Sequence, residues 1–151
     1  DLHSFPTRRS SDLVVGYPNK YYYTDIGLRN ARLNYRQYDP GHIMENIIYN
    51  ELVKRGYSVD VGVVNDRSAK RNVHREIDFV VNDADRKIYV QSAVRMDTEA
   101  KASAELRPLL LTKDFFKKIT IRMDIPHNYY DNNGIFHCNL IDFLLGRVDL
   151  F

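Results

Sequence analysis

The sequence predicts an α/β domain with the order helix, strand, strand, strand, helix, strand. Three observations carry this reading. Residues 42–55 form an amphipathic stretch, two apolar β-branched runs are joined by a four-residue polar turn, and a second helical stretch leads into another apolar run. Helices alternating with hydrophobic strands bury their apolar sides by packing on a sheet.

Taken in order, Thr24 or Asp25 can cap a short helix over Ile26 to Leu33, and Arg36 to Gly41 reads as a loop punctuated by Asp39-Pro40-Gly41. The helix His42 to Arg55 follows, because Met44, Ile47, Ile48 and Leu52 recur at helical spacing and Gly56 supplies a left-handed C-terminal cap. Tyr57 to Val64 alternates, with Tyr57, Val59, Val61 and Val63 on one face, as a strand does. Asn65 to His74 is a polar loop. Glu76 to Asn82 and Lys87 to Ala93 form a hairpin around Asp83-Ala84-Asp85-Arg86. Asp97 or Thr98 opens a helix to about Leu106, extended or kinked at Pro108, and Lys118 to Met123 is the next strand. Ile135 to Cys138 and the helix Asn139 to Leu145 close the chain, after the turn Asp131-Asn132-Asn133-Gly134.

At 151 residues and 44% hydrophobic, the chain supports one domain with a real core and is too short for two comfortable ones. Lys and Arg number 22 against 20 Asp and Glu; the resulting +2 is too small to argue for nucleic acid, so such binding must rest on a local patch. The single cysteine, Cys138, excludes an internal disulfide and, with no signal peptide visible, favours a reducing cytoplasm. No apolar run approaches the roughly 18–20 residues of a membrane span. The first thirteen residues, DLHSFPTRRSSDL, match an in-frame translation of a short-read sequencing adapter at every codon; Asp1 to Leu13 are therefore set apart from the fold, and an upstream continuation of the natural protein is expected. Residues 14–41 are read as a connecting segment with a short helix, and residues 42–146 as the domain.

A helix acid (Glu45, with Glu51 as the alternative), a strand acid (Asp78) and the neighbouring Gln91-Ser92-Ala93 resemble the PD-(D/E)XK nuclease pattern, in which the second acid and a lysine occupy the positions of Gln91 and Ala93. The segments YYYTDIGLRNARLNYRQ, GHIMENIIYNELVKRGYSVDVGVV, EIDFVVN, YVQSA, ELRPLL, FKKITI and LIDFLLG extend the likeness. From about Asn19 to Gly146 the chain resembles the restriction-endonuclease-like C-terminal domain of unknown function of bacterial AAA-type ATP-binding proteins. The resemblance implies a PD-(D/E)XK nuclease-like αβββαβ core with a small strand–helix extension, following an ATPase domain. No phosphate-binding loop GxxxxGK[ST] occurs here, so no ATP site is carried over.

By the same resemblance Glu45, Asp78 and Gln91 are the site, vestigial because Ala93 stands at the lysine position, with Asp78 and Glu45 as the surviving metal ligands. Magnesium favours hard oxygen ligands; Gln91 keeps an amide oxygen without the charge. Loss of the lysine alone costs on the order of 10² to 10³ in rate by analogy with other electrostatic groups. No cofactor is expected, and a functional site would use Mg²⁺. Implied partners are the protein's own ATPase domain, DNA through the basic loop (Lys70, Arg71, Arg75), or an oligomer; a membrane is not among them. Three functions follow: a catalytically degenerate binding or regulatory module, an active nuclease built on Glu45, Asp78 and the Gln91 amide, and a pure protein-interaction domain.

The geometric expectation is that Glu45, Asp78 and Gln91 converge at one end of the sheet, with Gln91 and Ala93 on Asp78's face and no amine in reach of position 93. The plainer readings are Asp78 as an edge residue, Glu45 as a solvated helix face and Gln91 as a buried hydrogen-bonding amide. Lys101 and Glu105 are expected to pair at i,i+4. His137 and Cys138, adjacent on a strand, should point to opposite faces, which makes them packing residues rather than zinc ligands.

Overall fold

Asp25 accepts a hydrogen bond from the Leu28 amide (2.8 Å) and so caps helix α1, Ile26–Arg32, which buries none of its side chains. In the computed structural model, residues 20–36, 38–68 and 73–151 are described; the adapter-like segment and two of the three basic-loop residues, Lys70 and Arg71, lie outside them. Helix α2 spans Pro40–Lys54, starting two residues before the expected boundary. The Asp39 carboxylate accepts from the Gly41 and His42 amides, and Pro40 fits the first turn because no intrahelical N–H is needed there. What looked like a turn signature is a helix cap. Gly56, at φ +88°, ends the helix as expected.

The strands are β1 Ser58–Asp66, β2 Val73–Asp83, β3 Arg86–Ala93, β4 Lys117–Arg122, β5 Tyr129–Tyr130 and β6 Phe136–Asn139. Helix α3, Glu99–Leu111, lies between β3 and β4, and α4, Leu140–Leu144, follows β6. The sheet order is β1-β2-β3-β4-β6-β5. β1, β2 and β3 are antiparallel, β4 runs parallel to β3 after the α3 crossover, and β6 runs parallel to β4. The α/β class and the element order are as expected; the two-residue strand β5 is an addition, too short to leave a periodic trace. The α3 helix continues through Pro108 to Leu111, five residues beyond the expected end at Leu106.

Met44, Ile48 and Leu52 of α2 pack on Phe79, Val81, Ile88, Val90, Ile119 and Ile121, together with Phe143 of α4. The opposite face carries α3, where Leu109 packs with Ile77 and Ile135. Each fully buried aliphatic side chain contributes about 1.5–3 kcal/mol relative to exposure. Packing continues past Gly146: Leu150 is buried in the α2-side core and the Phe151 ring lies 5.2 Å from that of Tyr57.

One irregularity positions the site. Asp60 pairs with Val80 and Gly62 with Ile77, so Val61 stands opposite both Asp78 and Phe79. This bulge explains why Phe79 and Ile77, two residues apart, belong to cores on opposite faces. Among the described residues no helix is long and apolar enough to cross a membrane.

Candidate functional site

A cleft of about 300 Å³ opens between His42 and Glu45 of α2, Asp78, Gln91 and Ser92 of the sheet, and Glu105 of α3. Glu45, Asp78 and Gln91 therefore meet in one place. A larger cavity of about 630 Å³ lies on the α3 face beside Gly62, Val80, Tyr89 and Lys113, with Asp114 as the one acid in its lining.

Three carboxylates come together around one ammonium. Lys20 Nζ lies 2.8 Å from Glu45 Oε1 and 3.5 Å from Asp78 Oδ1, and it is also ion-paired with Glu76. The amine on Glu45 and Asp78 comes from the chain ahead of α1, a segment to which the sequence reading assigns no site residue. That segment is clasped to α2. Asn46 Oδ1 accepts from the Tyr23 amide (2.8 Å) while its Nδ2 donates to the Tyr23 carbonyl (2.7 Å), and the Tyr22 hydroxyl donates to Glu45 Oε1 (2.6 Å). Tyr22 is also stacked on Tyr49, with ring centroids 4.1 Å apart.

Asp78 is nearly buried and its Oδ2 accepts from both the amide and the hydroxyl of Ser92, at 2.9 and 2.8 Å. Gln91 Oε1 accepts from the Asp78 amide (3.3 Å), and its Nε2 donates to Glu105 Oε2 (3.4 Å). The shared-face expectation needs correction here. Ile88, Val90 and Ser92 alternate onto the α2 side, whereas Tyr89 packs on the α3 side and Gln91 follows it toward Glu105. Asp78 reaches Ser92 on the α2 side because the bulge reorients it. Ala93, 6% exposed, is in register with Arg122 and, two residues on from Gln91 in an unbroken strand, lies on Gln91's side of β3.

Burial, reinforced by the Glu45 charge, pushes the Asp78 carboxyl up to about 6 against the opposing pull of Ser92 and Lys20. Burial disfavours the Lys20 charge, but hydrogen bonds to Glu45 and Glu76 more than offset it and hold its pKa above the ordinary lysine value. Burial and the hydrogen bond to Glu45 likewise raise Tyr22, which stays a neutral donor. Among the described residues no group of three or more His, Cys, Asp or Glu is arranged to hold a metal ion.

The other sequence candidates lie elsewhere. Glu51 pairs with Lys54 and Arg55 at the far end of α2. Arg75 Nε lies 2.7 Å from Asp66 Oδ2, and Arg107 grips the same carboxylate through two nitrogens, which ties β1 to β2 and α3. Hydrogen bonds from Arg107, Ser68 and Arg75 hold Asp66 far below the usual carboxylate range. Lys101 pairs with Asp97 rather than Glu105, which faces Gln91 instead. His137 is buried, 2.7 Å from the Thr120 hydroxyl and stacked on Tyr129, while Cys138 sits in the α2-side core, as their alternation predicts. Burial pushes the Cys138 thiol up to about 11.

Three site residues escaped the sequence reading. Glu76 had a signal, since it lies two residues before Asp78 on a strand; Ser92 had adjacency to Gln91. Lys20 had none, because its partner Glu45 is 25 positions away.

Residues 40–137 match the family described as Domain of unknown function (DUF4143). An uncharacterized protein of Haemophilus influenzae is 35% identical over 129 residues, covering 83% of this chain and 28% of that relative's length. No solved structure matches.

Proposed function

This chain belongs to the family described as Domain of unknown function (DUF4143), and from that premise we propose that it is a catalytically degenerate, nuclease-like module with a binding or regulatory role in a longer ATP-binding protein. The observation that carries the reading is the Lys20 ammonium on Glu45, Glu76 and Asp78. A resident cation already meets the negative charge that a catalytic dication would have to meet. Gln91 supplies no further charge, and Ala93 supplies neither charge nor proton. The modular context is supported by the relative, of which the shared stretch is 28%; the ATPase as partner rests on the resemblance of the sequence.

The test is cleavage and metal binding by the purified chain. No Mg²⁺-dependent cutting of duplex DNA is expected, and calorimetric titration should detect weak Mg²⁺ binding at best. Cleavage that disappears in Asp78→Ala would overturn the reading.

Lys20 also favours a second reading, an active nuclease in which this amine takes the part of the lysine missing at position 93. On that reading the unmodified chain cuts DNA, and Lys20→Met abolishes cutting while leaving Mg²⁺ bound. On the first reading no cutting is seen with either protein.

A further inference from the structure

The two edges of the sheet are unlike. β5 is two residues long, whereas β1 runs nine residues, Ser58–Asp66, and pairs on one side only, with β2, among the described strands. Exposed edges are usually guarded by lysine, proline or an outward charge. β1 contains no Lys, Arg or Pro. Its two acids are engaged within the fold: Asp66 is buried against Arg75 and Arg107, and Asp60 accepts from Asn82 Nδ2 at 3.3 Å. Val61 and Val63 are 42% and 48% exposed, and they alternate onto the side of Val59.

We propose that this edge pairs antiparallel with β1 of a second copy of the chain, about a two-fold axis at Gly62, to make one sheet continuous across a dimer. The proposal is independent of the nuclease-like reading. Its register follows from charge and shape. With Gly62 opposite Gly62, Val61 faces Val63 of the other copy and Asp60 faces Val64, while Asp66 faces Ser58, so no acid opposes an acid. A parallel, in-register pairing would set Asp60 against Asp60 and Asp66 against Asp66, which like-charge repulsion disfavours. Gly62 is a glycine for an internal reason, since a Cβ there would come within 2.8 Å of Val80 Cγ2. The consequence is a bare backbone at the centre of the edge, where two copies meet on the axis. The match of one edge to itself is what an isologous two-fold interface requires.

Sedimentation equilibrium on the full chain, from micromolar to millimolar concentration, is expected to follow a monomer–dimer equilibrium. Val61→Lys and Val63→Lys should each raise the dissociation constant about tenfold or more, and Tyr130→Lys on the opposite edge should leave it unchanged. Hydrogen exchange on the unmodified chain provides a readout that needs no variant: the outward β1 amides should gain protection as concentration rises. A chain monomeric throughout, a dimer that neither valine variant weakens, or β1 exchange independent of concentration would each overturn the proposal.

Discussion

Lys20 Nζ lies 2.8 Å from Glu45 Oε1, an ion pair between a residue ahead of the first helix and the second turn of α2. It fastens the N-terminal segment over the cleft and balances part of the charge of three carboxylates. Lys20→Met should destabilise the fold by about 1–3 kcal/mol, less than a fully buried pair would lose because Lys20 retains some exposure. It should also strengthen Mg²⁺ binding measured by calorimetry, since the carboxylates lose their resident cation. Unchanged metal affinity together with unchanged stability would refute a balancing role.

Asp78 should leave a signature in the pH dependence of stability. Its folded pKa, about 6, exceeds its unfolded value near 4, so the native state holds the proton more tightly. Stability from this group is therefore fully present below the unfolded value and is lost as pH rises through about 6. Asp78→Asn should flatten that part of the profile in urea titrations between about pH 4 and 7. A wild-type slope that Asp78→Asn leaves untouched would contradict the buried, raised carboxyl.

Asp66 should behave in the opposite sense. Its folded pKa is depressed by Arg107, Ser68 and Arg75, so its contribution is present above the ordinary carboxylate value and fades as pH falls below it. Asp66→Asn should lower the thermal midpoint at neutral pH and reduce the loss of stability on acidification. Equal midpoints for the two proteins at pH 7 would show that the clasp of β1, β2 and α3 adds nothing.

The basic residues are expected to separate into two classes. If Lys70 and Arg71 contact DNA phosphates, Lys70→Ala and Arg71→Ala should weaken binding to duplex DNA and flatten its salt dependence. Arg75→Ala, which removes a partner of Asp66, should chiefly lower the thermal midpoint. Fluorescence anisotropy across a salt series, beside thermal melts, distinguishes the two. No DNA binding by the unmodified chain at low salt would favour a protein-interaction role.

Placing an acid at position 91 is expected to be costly. Gln91 Nε2 donates to Glu105 Oε2, so Gln91→Glu replaces a hydrogen bond with two facing carboxylates and should destabilise the fold by roughly 1–3 kcal/mol at neutral pH. The loss should shrink on acidification as one carboxyl takes a proton. A variant as stable as wild type at pH 7 would mean that Gln91 and Glu105 do not face each other in solution.

The sequence by itself determined the α/β order, the core face of α2 and the hairpin, and it identified Glu45, Asp78 and Gln91, which line one cleft. These features are local: the spacing of Met44, Ile48 and Leu52, or the Asp83–Arg86 turn, reports burial and backbone geometry within a few residues. The tertiary structure decided the rest. It seated Lys20 among three acids, placed Arg75 on Asp66, turned Glu105 from Lys101 toward Gln91, and used a bulge at Asp78 to change which side of β3 that carboxylate meets. An ion pair across 25 positions leaves no periodic trace in a chain, because its strength depends on distance and burial in space, both of which are set only when the helices close over the sheet.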